Sequence, residues 1–475
     1  MHLGELLVLT KTVTQAQLDE ALARQHNQGG KLGDNLVAMG ALAPEVLQRF
    51  LASIPAEPED IHATGINALE LLNLFLKHVY TARIETVVQF IDAMKLPPHL
   101  VTDLVQMAVN RELLVAAGSS GTSIRYNLSE QGRRWAQDAL KASQYTGPAP
   151  VSLEAFCARV QMQKINSDQV SSSNIREALA GYDISDEFIR KIGPALNSGR
   201  ALLLYGPPGN GKTTVALSFA NVFNAIIYMP YAVMIEGLIM RVFDPSLHVA
   251  ERSEHGRRLS EFGGLRREET DARWVAIRRP FVVTGGELTL EMLDLSYDQT
   301  AGFYEAPLHL KALGGCFVID DFGRQIVSPA NLLNRWIVPM ESRLDYLKLH
   351  TGKSFSIPFE ALVVFSTNLN PEDLMDPAFL RRLPYKIEVG GPDPAGYRAI
   401  FEKLALQFGL EFNDAVFETI LHKVTQERGL ELAAYHPRFI IDQVMAIARF
   451  MNQPPRFDNT SIDYALDNLK VRQNK

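Results

Sequence analysis

The chain has 475 residues, 47% of them hydrophobic and 21% charged, with a formal net charge of −7. That composition excludes disordered and fibrous classes and leaves room for about two to four globular domains. The acidic balance argues against nonspecific nucleic-acid affinity of the chain as a whole, although a local basic patch stays open.

Cys157 and Cys316 are the only cysteines. They offer no disulfide framework and no Cys/His metal spacing, which points to a reducing compartment. The opening segment, MHLGELLVLTKTVTQAQLDEAL, lacks a basic region followed by an apolar core. No run of about 18 apolar residues follows, so a cytoplasmic chain without a transmembrane segment is expected.

Residues 2–53 contain an internal repeat with a period of 29 residues. His2-Leu3-Gly4 aligns with Lys31-Leu32-Gly33, Leu7 with Leu36, Val13 with Leu42, Leu18 with Leu47, and Leu22 with Leu51. Each unit reads as helix, turn and helix around shared leucines. The pair, assigned to a domain over 1–60, resembles the small N-terminal module of type II secretion and type IV pilus assembly ATPases. The resemblance implies either protein docking or cyclic di-GMP binding through the arginine that opens each motif. Those positions hold His2 and Lys31, neither of which has arginine's planar fork, so docking is the favoured expectation.

A proline- and acid-rich linker, Pro55 to Asp60, leads to a second domain over 65–145. Helices are predicted at Ala68–Tyr80, Ile84–Met94 and Leu100–Asn110. A hairpin follows, Leu113–Ala117 with Ile124–Leu128, and then a helix capped by Ser129. Three helices and a β-wing resemble a winged helix. DNA binding would use the third helix in the major groove and Arg125, Arg133 and Arg134 on phosphates. Residues 65–145 carry eight Lys/Arg against seven Asp/Glu, and the third helix has no basic residue. A protein adaptor is therefore favoured over a DNA reader. Residues 146–173, with Gly147-Pro148-Ala149-Pro150 and a serine-rich run, read as a mobile linker around one short helix.

A second unit begins near Asn174. Ala201–Tyr205 is an apolar strand, followed at once by Gly206-Pro207-Pro208-Gly209-Asn210-Gly211-Lys212-Thr213-Thr214 and a helical segment. Strand, glycine loop and helix in that order make a phosphate cradle. The glycines bring backbone N–H groups close to a polyphosphate, Lys212 reaches its β/γ end, and the Thr213 hydroxyl is a Mg²⁺ ligand. Ala225–Met229 reads as a second strand. Cys316–Ile319 reads as the next, ending in Asp320-Asp321, which puts Asp320 in the Mg²⁺ shell and Asp321 beside the attacking water.

Val363–Thr367, ending at Asn368, resembles the sensor-1 strand of AAA+ ATPases. Asp376-Pro377-Ala378-Phe379-Leu380-Arg381-Arg382 is similar to their arginine-finger segment, with the choice between Arg381 and Arg382 open. Helical patterns over 393–475 resemble the AAA+ lid, and Tyr435-His436-Pro437-Arg438 its sensor-2 signature, with Arg438 on the γ-phosphate. In that class a glutamate usually stands where this chain has Asp321.

The fold class expected is thus multidomain: an α-helical repeat module, a winged helix, an AAA+ α/β P-loop domain over 174–392, and an α-helical lid. Two insertions are predicted, 243–315 and 344–358. The second is a hairpin, Leu344–Leu349 with Ser354–Pro358, and resembles the pre-sensor-1 hairpin clade that includes MoxR-like chaperones. The first contains an Arg/Glu-rich piece and a hairpin at Phe281–Leu290. Its Tyr297, Phe303 and Tyr304 either grip a threaded chain or pack in a core. The resemblance implies an ATPase using ATP and Mg²⁺ in a homo-oligomeric, hexameric ring that remodels a protein substrate, with an adaptor or secretion link. An ATP-switched DNA regulator and a cyclic di-GMP-gated ATPase are the alternatives.

Overall fold

The structure is a computed structural model, and it describes residues 3–10, 12–120, 123–180, 184–251 and 270–469. His2 and most of the Arg/Glu-rich piece lie outside the described residues.

The repeat becomes four helices, α1 (Leu3–Leu9), α2 (Gln15–Gln28), α3 (Leu32–Ala38) and α4 (Pro44–Ser53). Thr14 opens α2 with a reciprocal cap, accepting from the Gln17 amide while the Gln17 side chain accepts from Thr14 N–H. The two units share a packing rule. A Cβ on Gly4 would lie 2.5 Å from Leu18 Cδ1, and one on Gly33 would lie 2.9 Å from Leu47 Cδ2. Each first helix therefore needs a glycine where the second helix's leucine crosses it.

The second unit comprises α5 (Ala68–Ala82), α6 (Val87–Met94), α7 (Pro98–Asn110), an antiparallel hairpin β1 (Leu114–Ser120) and β2 (Ser123–Leu128), and α8 (Glu130–Ala142). Phe75, Phe90, Leu100, Val101 and Leu104 are fully buried at its centre. Thr102, Asp103, Gln106, Val109 and Asn110 are exposed along α7, so the presumed reading helix presents an acid and no lysine or arginine. Arg125 lies 3.7 Å from Glu85 and Arg134 lies 3.1 Å from Glu130.

Residues 146–173 depart from the expected mobile linker. His78 Nε2 lies 3.0 Å from Gly147 O, and Ala149 N donates to Met94 O at 2.8 Å. Strand β3 (Val151–Ser152) then enters a sheet, and α9 (Leu153–Met162) buries Phe156 and Val160. The apolar residues here are spaced singly among prolines and polar residues, so no periodicity betrayed their burial. Helices α10 (Ser172–Ala178) and α11 (Asp186–Ser198) lead into the next unit.

Its core sheet uses β4 (Leu202–Tyr205), β9 (Phe281–Thr284), β12 (Cys316–Ile319), β15 (Leu362–Thr367) and β16 (Tyr385–Glu388) in the order β16-β4-β15-β12-β9, every neighbour parallel. Leu202, Leu203 and Leu204 are fully buried, as an all-parallel strand requires. Helix α12 (Lys212–Ser218) follows β4.

The sheet corrects two expectations. Ala225–Met229 is not its second strand: β5 (Ile226–Pro230) pairs antiparallel with β8 (Trp274–Arg278) in a separate ribbon. Phe281–Thr284 is that strand, pairing parallel with β12, and not one arm of a hairpin. The insertion placed at 243–315 thus interrupts the chain on both sides of β9. It also begins earlier than expected: β6 (Ala232–Ile235) and β7 (Leu238–Arg241) already leave the core sheet before residue 243, and β10 (Ser296–Asp298), β11 (Phe303–Glu305) and the short helix α13 (Leu308–Lys311) follow β9.

These strands form a second, mixed sheet in the order β10-β11-β7-β6-β3. It seats the amino-terminal domains. Ala232 and Ile239 join the core of the second unit, and Tyr145 packs edge-on to Phe303 with centroids 5.8 Å apart. Arg273 and Asp271, both at least 95% buried, form a bidentate pair, and Arg273 also donates to Thr64 O and Pro150 O at 3.2 and 3.1 Å. Tyr304 is buried, and Tyr297 stacks on His350 at 3.9 Å. Of the two readings of these aromatics, packing is the one realised.

Helix α14 (Pro329–Ser342) precedes the hairpin β13 (Leu344–Lys348) and β14 (Ser354–Pro358), which pairs antiparallel with Leu344 opposite Pro358. Buried Asp345 pins it, at 2.6 Å from His309 Nε2 and 2.7 Å from Arg335 Nη1. The short helices α15 (Pro371–Leu374) and α16 (Pro377–Leu380) lead to β16. The chain closes with α17 (Pro394–Phe408), α18 (Asp414–His422), α19 (His436–Phe450) and α20 (Asn459–Leu469) around Tyr397, Phe401, Ile420, Ile440 and Leu466. Among the described residues no helix is long and apolar enough to cross a membrane.

Candidate functional site

Beyond the carboxyl ends of a parallel sheet is where open α/β folds bind ligands. Here the loop after β4 makes a cleft of about 890 Å³ between the sheet and the four-helix bundle. Gly209, Asn210, Gly211, Lys212, Thr213 and Thr214 line its floor, Asp321, Ser366 and Asn368 one wall, and Ala399, Ile400, Lys403, Leu404, Ala434 and Tyr435 the roof.

The loop conformation needs its glycines. Gly209 and Gly211 have φ of +80° and +82°, in the left-handed region, and Gly206 approaches Val389 O so closely that a Cβ would lie 2.6 Å from it. Pro207 and Pro208 stiffen the turn between them and do not themselves line the cleft. Lys212 is 5% exposed, and its ammonium donates to the carbonyls of Gly206 and Pro207 at 2.9 and 2.7 Å. Burial pulls its pKa down, and the carboxylates of Asp320 and Asp321 oppose that shift.

The Thr213 hydroxyl lies 2.8 and 3.1 Å from the two oxygens of Asp320. A hydroxyl and a carboxylate held together beside a phosphate cradle are the hard oxygen donors that Mg²⁺ takes. Asp321 extends the wall, and its Oδ1 accepts from Asn368 Nδ2 at 3.1 Å. Residues separated by more than a hundred positions in the chain, from Lys212 to Asp321 and Asn368, thus meet in one cleft because three adjacent parallel strands end there.

Arg438 does not line the cleft as expected. Its guanidinium lies 4.7 Å over the Phe408 ring and pairs with Asp442 at 2.9 Å, one turn along its own helix. The residues before it take that place. The Tyr435 ring covers Gly209, where a Cβ would come within 2.1 Å of Cδ1, and Ala434 N donates to Asn210 Oδ1 at 3.2 Å. The helical bundle therefore touches the phosphate loop directly. Lys403 and the apolar end made by Ala180, Ile184, Ile400 and Leu404 were also unforeseen. A lysine flanked by apolar residues on an amphipathic helix carries no local signal of its own.

Arg381 and Arg382 precede β16, at the amino-terminal ends of the strands and so at the opposite end of the sheet from the phosphate loop, since Tyr385 is in register with Leu202. With Arg200 and Arg343 they line a separate cavity of about 360 Å³. Arg382 pairs with Glu341, and Arg381 Nε donates to Pro377 O at 3.2 Å. The arginine pair does not reach the cleft of its own chain.

Comparisons with known proteins add three observations. A family model described as a domain of unknown function, DUF8689, matches residues 393–468, the helical bundle. An AAA-ATPase of Arabidopsis thaliana is 39% identical over 61 residues, which are 13% of this chain and 12% of that protein. The chain therefore spans about an eighth of the length of this curated relative. A solved structure of a point variant of RuvB from Thermotoga maritima aligns over 64% of this chain and 70% of that one, with 14% identity and a TM-score of 0.31, too low to argue a fold from. The local likeness is thus to part of an AAA-ATPase, and the chain itself carries a parallel sheet with a glycine loop after β4.

Proposed function

We propose that the chain is a Mg²⁺-dependent ATPase that works as a homo-oligomeric ring and remodels a protein target. The observation that carries this reading is the convergence of Lys212, the Thr213–Asp320 pair and the Asp321–Asn368 pair on one cleft roofed by the helical bundle. The loop amides and Lys212 would hold the phosphates. Thr213 and Asp320 would hold Mg²⁺, which supplies charge neutralisation at the transferred phosphoryl group. Asp321 is the group able to take a proton from an attacking water, with Asn368 orienting both. Ala180, Ile184, Ile400 and Leu404 offer an apolar slot for the base.

Ring assembly is the way to use Arg381 and Arg382, which have no route to their own cleft. Supplied by a neighbouring copy, a guanidinium would neutralise charge in the transition state. A MoxR-like role, with the repeat module and the helical second unit as protein adaptors, agrees with the pre-strand hairpin and with the acid-bearing face of α7. The test is steady-state ATP turnover. Lys212→Ala is expected to lower it about 100-fold or more, and chelation of Mg²⁺ to abolish it. Turnover that survives both would overturn the reading.

A further inference from the structure

Asp321 has φ of 48°, a left-handed conformation that asparagine and aspartate tolerate better than other side chains but do not prefer. Only one methylene separates its carboxylate from the backbone, so the backbone decides where the carboxylate lies. The turn that sets this conformation is held by side chains outside the cleft. Gln325, 9% exposed, donates from Nε2 to Asp320 O at 2.9 Å, Asp321 O at 3.3 Å and Gly285 O at 3.4 Å, and its Oε1 accepts from Gly323 N at 2.8 Å. From the other side the Thr367 hydroxyl donates to Phe322 O at 2.7 Å, and Phe322 N donates to Ser366 O at 2.7 Å. The turn itself closes through Arg324 N to Asp321 O at 2.9 Å.

We propose that Gln325 is a positioning residue for hydrolysis, its one amide tying the ends of β9 and β12 together and locking Asp321 in the left-handed conformation that brings its carboxylate to Asn368. The proposal rests on the ATPase reading above. Gln325 touches no residue of the phosphate loop, so its loss leaves nucleotide binding in place and lets the carboxylate drift. A displacement of that kind lowers the chemical step far more than the binding step.

The experiment uses the full chain with Gln325→Leu, which removes all four hydrogen bonds, and Gln325→Glu, which replaces the amide NH2 facing the three carbonyls while keeping an acceptor oxygen and the side-chain length, and stands in if the leucine variant fails to fold. Turnover, direct binding of a fluorescent ATP analogue and the melting midpoint are read for each. The expected result is a fall in kcat of about tenfold or more with analogue affinity within about twofold of the parent. A double variant with Asp321→Asn is expected to be little slower than Asp321→Asn alone, because the proposed effect of Gln325 runs through that carboxylate. A folded Gln325 variant with more than half the parent kcat, or losses that multiply in the double variant, would overturn the proposal. A parent protein without Lys212-dependent turnover would sink the ATPase reading and this inference together, whereas an active parent with an indifferent Gln325 sinks only the inference.

Discussion

The two five-stranded sheets of this chain are built by opposite rules. In the phosphate-loop sheet every neighbour is parallel, the central strands are mostly apolar, and the carboxyl ends of β4, β12 and β15 bring the polar side chains of the cleft together. In the inserted sheet parallel and antiparallel pairs alternate, and its strands come from 151–152, 232–241 and 296–305. The first arrangement concentrates chemistry at strand ends. The second concentrates apolar contacts between domains, with Ala232 and Ile239 shared with the second unit, and beside it Arg273, just before β8, bridges to Thr64 and Pro150. One sheet frames a cleft at its strand ends, and the other packs against the second unit.

Breaking the buried ion pair just before β8, beside the seating sheet, is expected to have the largest effect on stability. Arg273→Ala strands a buried carboxylate at Asp271 and removes two bonds between domains, which costs about 3–5 kcal/mol. Thermal unfolding and limited proteolysis near residues 55–65 measure it. A folded fraction that still binds nucleotide normally would show that the seat and the cleft are separable.

A smaller, pH-dependent effect is expected where the helical bundle meets the loop. His436 is 4% exposed, its Nδ1 has no hydrogen-bond partner, and burial holds its pKa down at about 4 against an ordinary 6.5. Below pH 6.5 the unfolded chain binds a proton that the folded imidazole refuses, so this contribution to stability is present above 6.5 and is lost as the pH falls towards about 4. Melting midpoints between pH 7.5 and 4.5 check it, and His436→Gln should flatten that part of the profile relative to the parent. The smallest effect belongs to the second unit's surface. Arg134, paired with Glu130 at 3.1 Å with both side chains more than 70% exposed, is expected to change stability by less than about 0.5 kcal/mol on substitution by alanine. Weak DNA retention unchanged by that substitution would further separate this unit from groove readers.

The contrast between the sheets also explains what the sequence made legible. The meeting of Lys212, Thr213, Asp320, Asp321 and Asn368 could be read because each stands at or just after the end of an apolar strand that the sequence marks. The repeat was legible for a similar reason: Gly4 and Gly33 recur because Leu18 and Leu47 press on them. Phe281–Thr284 was misread because a buried four-residue strand followed by Gly285-Gly286 looks locally like a hairpin arm. Val151–Ser152 was missed because two residues carry no period at all. Arg438 was misassigned because its fate depends on Asp442 and Phe408, an ion pair and a ring that no motif specifies. Lys403 and Tyr435 reach the cleft only through the docking of the bundle, which local pattern does not encode.

The central claim is a hydrolytic site shared between copies, and mixing tests it most directly. Lys212→Ala chains keep the arginine pair but cannot turn over nucleotide, and chains carrying both Arg381→Ala and Arg382→Ala keep the cleft but cannot serve a neighbour. Each is expected to be inactive alone, and an equimolar mixture is expected to recover ATP turnover, with parent specific activity rising as protein concentration rises. A mixture as inactive as its parts, together with parent activity independent of concentration, would contradict the account.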